Sequence, residues 1–279
     1  MVAKKIVLFL LVLFSFLTIY SREIKVLAIG NSFSEDAIES HLYQIGLNNG
    51  DTLLIGNLVI GGGSLELHDS NASQNNPTYS YRKIVKGVKT VSKGVTMEKG
   101  IMDEDWDYIS LQQVSHDAGC YNSYFPYLPR LIDYVKRYAI NPDMQFMLHM
   151  TWAYSQGASH SGFTKYDRNQ QTMYKEIVST VNKVASELQI PVVISSGTAI
   201  QNARTSSLGD TLCRDGFHLE RTYGRYTAAC VWYEVLTGNC VVGNTYRPKY
   251  VSELQAFIAQ ISAHFAVVNP KKLTYLTNM

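Results

Sequence analysis

The sequence predicts an α/β fold, a three-layer, doubly wound sheet of about five parallel strands with one inserted β-hairpin. Three observations carry this. Short apolar, β-branched runs alternate along the chain with longer stretches of helical periodicity. Turn signals rich in Gly and Asn separate them. One stretch, Tyr79–Met97, breaks the pattern: it alternates apolar and polar residues around Gly87 and reads as two antiparallel arms. The 279 residues, 46% hydrophobic and 17% charged, supply core material for one substantial domain without internal repeats.

The first strand is Ile24–Ile29, a run suited to a central parallel strand. A helix follows, with Ser34 as its expected N-cap and Ala37, Ile38, Leu42 and Ile45 on one face; Glu35 and Asp36 suit the positive end of its dipole. Asn48-Asn49-Gly50 stops it. Thr52–Ile60 reads as the second strand, Leu65–His68 as a short helical piece, and Asp69–Thr78 as an exposed loop. After the hairpin come strands at Asp107–Gln112, Met144–Met150 and Pro191–Ser195. Helices are expected over Tyr124–Ala139, Asp167–Leu188, Leu219–Leu236 and Val251–Val267.

At the N-terminus, Lys4 and Lys5 precede an apolar run, Ile6–Ile19, and then Tyr20-Ser21. This is the pattern of a secretory signal peptide, and a run of about 14 residues falls short of the ~20 that a spanning helix needs. The expected organisation is a leader at 1–21 and one domain at 22–279. The protein is expected to be secreted or periplasmic, with no stable membrane anchor. The remaining chain is electrically neutral, which gives no footprint for nucleic acid. Cys120, Cys213, Cys230 and Cys240 include no C-x-x-C pair, so zinc-ribbon and thioredoxin-type readings fail. Any disulfide is expected to be local to the C-terminal part.

Ser32 lies in the abrupt turn Gly30-Asn31-Ser32-Phe33-Ser34, at the carboxyl end of the first strand, where open α/β sheets place their active sites. It is either a helix-capping residue or a nucleophile. As a nucleophile it needs a base, and the base needs an acceptor on its other nitrogen. Among seven histidines His218 stands out, because Asp215 lies three residues before it. That spacing lets Asp215 reach the imidazole Nδ1 and leaves Nε2 free to face Ser32.

The two blocks in this order, Gly30-Asn31-Ser32-Phe33-Ser34 early and Asp215-Gly216-Phe217-His218 late, resemble those of the SGNH (GDSL-type) hydrolases. The resemblance is to a secreted branch with G-N-S-F-S and D-G-x-H-L blocks, and it spans nearly the whole mature chain. It implies a flavodoxin-like sheet, with Ser32 as nucleophile, His218 as general base and Asp215 as the residue that orients it. It also implies an oxyanion hole made by the backbone N–H of Ser32, that of Gly62 in Gly61-Gly62-Gly63-Ser64, and a side-chain amide. The family's asparagine for that third donor is missing after the third strand, where the chain reads Leu111-Gln112-Gln113-Val114-Ser115. Gln113 is the candidate to replace it and Ser115 the alternative.

Trp152 and Tyr154 are candidate substrate-binding aromatics for stacking on a sugar. His116, His149 and His160 with Asp117 match no metal-ligand spacing, and neither a metal nor another cofactor is expected. The function these residues imply is a secreted serine esterase acting through an acyl-enzyme. Its expected substrates are small-molecule or glycan esters with short acyl groups, acetyl first. A lipid esterase or thioesterase is the alternative enzyme, and a carbohydrate-binding protein that has lost catalysis is the alternative outside enzymes.

Overall fold

The computed structural model describes residues 23–277, so the leader read at 1–21 lies outside the described residues. Seven strands build one sheet: β1 (Ile24–Gly30), β2 (Leu53–Val59), β3 (Tyr79–Val85), β4 (Val88–Val95), β5 (Tyr108–Leu111), β6 (Gln145–His149) and β7 (Val192–Ile194). Their order is β4-β3-β2-β1-β5-β6-β7. The five strands from β2 to β7 in that order are mutually parallel. The hairpin β3–β4 adds antiparallel to the outer edge of β2. This is the mostly parallel sheet with one inserted hairpin that the sequence predicts.

Hydrophobic alternation explains the hairpin's place. Tyr79, Tyr81 and Ile84 of β3 are buried, whereas β4 is exposed along its length except at Val95. Its two-residue turn, Lys86-Gly87, has φ of 49° and 77°, the left-handed pair whose twist suits a tight hairpin.

Nine helices are assigned among the described residues: α1 (Ser32–Ile38), α2 (Leu42–Asn48), α3 (Leu65–Ser73), α4 (Met97–Ile101), α5 (Tyr127–Tyr138), α6 (Gln170–Glu187), α7 (Ser196–Arg204), α8 (Tyr223–Thr237) and α9 (Glu253–Val268). One group, α1, α2, α7, α8 and α9, packs together; α3, α4 and α5 pack on one another.

The structure corrects the sequence reading at three elements. The first helix is two, broken between Ile38 and Leu42, and it begins at Ser32 rather than behind Ser34. Asn31 is its N-cap: its side chain accepts the N–H of Phe33, while Ser34 is buried one turn in. The short piece at Leu65 continues to Ser73. Helix α7 has no counterpart in the reading, because every one of its residues is buried and a helix covered on all sides shows no polar face.

Candidate active site

In the parallel part of the sheet, β1 pairs with β2 on one side and with β5 on the other, so the chain reverses its winding direction there. Loops leaving the carboxyl ends of such strands diverge and open a crevice. Here that crevice is a cleft of about 330 Å³. Asn31, Ser32 and Phe33 enter it behind β1, Gly61 and Gly62 behind β2, and Val114, Ser115 and His116 behind β5. His160 comes from the loop after β6, and Phe217 and His218 from the loop between α7 and α8.

Within this cleft the structure brings Ser32, His218 and Asp215 together. Asp215 Oδ2 lies 2.7 Å from His218 Nδ1, and His218 Nε2 lies 2.8 Å from Ser32 Oγ. Partial burial pushes the Asp215 carboxyl up. Bonds from the His218 imidazole and from the backbone N–H groups of His218 and Phe217 prevail, leaving it below the ordinary aspartate value. An ionised Asp215 accepts, so His218 carries its proton on Nδ1. Its Nε2 lone pair is then directed at the Ser32 hydroxyl, which donates.

The loop that carries this pair is held at successive backbone groups. Ser155 N donates to Gly216 O at 2.8 Å, and Arg214 N to His218 O at 2.9 Å. Trp152 Nε1 donates to Phe217 O at 2.7 Å. Leu219 N donates to Asp36 Oδ2 at 2.8 Å. Asp36 is 1% exposed and is paired with Arg214 at 3.1 Å and Arg225 at 2.6 Å. Helix α1 thus carries both Ser32 and the carboxylate that anchors the loop bearing Asp215 and His218. In the sequence, Asp36 reads only as a dipole partner of its own helix.

Ser32 and Gly62, both with a backbone N–H, line the cleft. Gly62 has φ +66°, a left-handed conformation that favours glycine. Among the described residues, the N–H of Gly62 and that of Ser32 have no acceptor.

Three side chains expected here are elsewhere. Gln113 is buried and does not line the cleft. Its Oε1 accepts the N–H groups of Leu65 and Val114, and its Nε2 donates to Ser123, so it joins three loops and has no donor left. Trp152 is fully buried, stacked on Phe33 at 4.4 Å between ring centres. Tyr154 is also fully buried, with its hydroxyl 2.8 Å from Ser115 Oγ. Both aromatics lie beneath the site and support it rather than face a ligand.

Other residues named in the sequence do line the cleft, though His116 and His160 were weighed there only as metal ligands. Ser115, the alternative to Gln113, is at its wall. His116 and His160 stack at 5.4 Å, and the N–H of Gly162 donates to His160 Nδ1. Burial holds His116 below the ordinary histidine value. His149 lies apart from them, inside the core. Among the described residues, the metal-type grouping of Glu234, Cys240 and His264 sits between α8 and α9, away from the cleft, and the four cysteines are free thiols.

The amide of Asn31 is used at both ends. Its Oδ1 accepts from Phe33 N at 3.0 Å and from Gln112 Nε2 at 2.7 Å, and its Nδ2 donates to Gly63 O at 2.9 Å. A carboxylate has no proton for the last of these.

A sequence profile described as "Domain of unknown function (DUF4886)" matches residues 25–266. The crystal structure of a DUF4886 family protein from Bacteroides uniformis is 49% identical, with a TM-score of 0.91, over 92% of this chain and 100% of that one. A protein from Slackia heliotrinireducens, provisionally described as an SGNH hydrolase, superposes with a TM-score of 0.51 at 17% identity, over 77% of this chain and 99% of that one. That likeness is one of fold. No curated protein matches the chain.

Proposed function

Because the chain belongs to the DUF4886 family, whose description assigns no activity, the reaction has to be read from its own side chains, and we propose that it is a serine esterase of the SGNH kind. One observation carries this reading: the continuous path Asp215–His218–Ser32, at 2.7 and 2.8 Å, opening on a cleft at the switch point of the sheet. His218 Nε2 takes the proton of Ser32 as Oγ attacks the ester carbonyl. Asp215 holds the imidazole in place and stabilises its charged form. The N–H groups of Ser32 and Gly62 receive the developing oxyanion.

We assign the third donor to Ser115. Tyr154 is buried and its hydroxyl has Ser115 Oγ as partner. A buried phenol donates to the partner it has, which leaves the Ser115 proton for the cleft. The alcohol departs with the proton held by His218. Water, activated by the same imidazole, then releases the acyl group from Ser32.

The cleft favours short acyl groups. Phe33, Val114 and Phe217 give it a small apolar surface, and the hairpin β3–β4, the one element left to wall a long tunnel, does not reach it. The polar edges of His116, His160 and Ser115 suit the hydroxyls of a carbohydrate leaving group, so acetylated sugar is the proposed substrate. Export by the leader at 1–21 belongs to the same proposal. Among the described residues, no helix is long and apolar enough to cross a membrane.

A series of p-nitrophenyl esters from acetyl to decanoyl tests the reading. The expected kcat/KM is highest at acetyl, and Ser32→Ala lowers kcat on the order of 10⁶-fold. A steady rise toward decanoyl identifies a lipid esterase or thioesterase. No turnover of any ester, together with binding of acetylated glycan, identifies a binding protein.

A further inference from the structure

We propose that His149 is a positioning residue for the oxyanion hole, acting through Gln112 and Asn31; this rests on the esterase reading above. The Asn31 amide has two duties at once. Its Oδ1 caps α1 through Phe33 N, which fixes the turn bearing Ser32, and its Nδ2 holds Gly63 O, which fixes the turn bearing Gly62. Both backbone donors are therefore set by one side chain. An asparagine amide turned half a revolution occupies nearly the same space with its oxygen and nitrogen exchanged, so shape alone does not choose its orientation. Turned, it would face Gly63 O with an oxygen and Phe33 N with a donor, and both turns would lose their tether.

Hydrogen-bond polarity makes the choice, with Phe33 N–H and Gly63 O setting it and a second donor to Oδ1 reinforcing it. Gln112 Nε2 donates to Asn31 Oδ1 at 2.7 Å, and Gln112 is itself an amide with the same ambiguity. Its Oε1 lies 2.9 Å from His149 Nδ1. An oxygen there requires a proton on Nδ1, so His149 is the Nδ1–H tautomer and its Nε2 accepts from Ser196 Oγ at 3.0 Å. The chain of polarity runs Ser196 to His149 to Gln112 to Asn31 to Gly63, and every side chain in it is at most 2% exposed.

Apolar surroundings keep it fixed. Trp152 and Trp232 stand edge-on to the His149 ring, at 6.2 and 5.2 Å between ring centres. Burial pushes the imidazole down to about 3, so it stays neutral wherever the protein works. The bare Gly30 makes room for Gln112 beside Asn31: a Cβ there would lie 2.8 Å from Gln112 Cδ. A lost polarity signal at His149 therefore appears at the two backbone donors, with no His149 contact to substrate.

The test compares His149→Leu with His149→Asn in the full chain. The asparagine places an amide N–H where Nδ1–H stood and keeps the donor to Gln112; the leucine keeps only bulk. His149→Leu is expected to lower kcat for an acetyl ester about 10²-fold, the scale of a small misplacement of reacting groups, with KM within twofold. His149→Asn is expected to recover most of that loss. Equal losses in both, or an unaltered kcat in His149→Leu, would overturn the proposal.

Nitrogen-15 spectra of the wild-type imidazoles supply a reading that needs no turnover. The Nδ1–H tautomer at His149, unaltered from pH 5 to 8, is expected even if no ester is hydrolysed, and an Nε2–H tautomer or a titration in that range refutes it. Should His149→Leu fail to fold, Ser196→Ala removes a single oxygen. A shifted Nε2 resonance with Nδ1 still protonated and a lowered kcat are then expected, and no change in either overturns the relay.

Discussion

Asn31 makes the difference between an amide and a carboxylate measurable. In Asn31→Asp, one carboxylate oxygen keeps the bonds from Phe33 and Gln112, while the other faces Gly63 O, where nothing donates. A buried bond lost in this way costs about 1–3 kcal/mol, and the charge adds to it. The variant is expected to melt earlier than the wild type, with the gap narrowing as pH falls, because the introduced carboxyl donates again once protonated. Thermal melts at pH 8 and pH 5 check this. At this scale the sequence showed which residues the fold brings together. Ser32, Asp215 and His218 were legible because two blocks, each common alone, occur in one order and together resemble a known pattern. Gln113 was not, because a donor's type does not reveal whether its bonds are already taken. Trp152 was not either, because an aromatic ring near the sheet edge serves equally well as a wall or as a foundation.

At the scale of elements, the joint between α1 and the loop before α8 decides whether the site assembles. Asp36 accepts from Arg214, from Arg225 and from the N–H of Leu219. Asp36→Asn removes the charge and leaves two partly covered guanidinium groups facing a neutral amide. Breaking a buried pair from one side costs about 3–5 kcal/mol. The expected result is a drop of that size in urea denaturation, together with lower kcat, since Leu219 adjoins His218. Unchanged stability would mean that the loop is held by its other tethers, at Ser155 and Trp152. The strands and long amphipathic helices were legible from period alone. The joint was not, because its partners stand 178 and more residues apart in sequence, and α7 was not, because a wholly buried helix shows no stripe.

Over the whole molecule, buried histidines set the response to acid. Burial pushes His41 and His68 down to about 4 and His149 to about 3, from an ordinary value of 6.5. The folded state refuses protons that the unfolded chain accepts, so stability is complete above pH 6.5 and declines as pH falls toward 4. Three such groups give a slope of about 4 kcal/mol per pH unit in that window. Asp215, held below its ordinary value, acts in the same direction at lower pH: its contribution is present above the unfolded value and is lost as pH falls through the folded one. Denaturation midpoints from pH 7 to 4.5 measure the slope, and His149→Asn should flatten it. The sheet order has a further consequence, one of timing. Ser32 leaves the ribosome 186 residues ahead of His218, with six of the seven strands of the sheet synthesised between them. Until that last loop is threaded and seated on α1, Ser32 is an ordinary alcohol, and a nascent chain is chemically silent however far its sheet has grown.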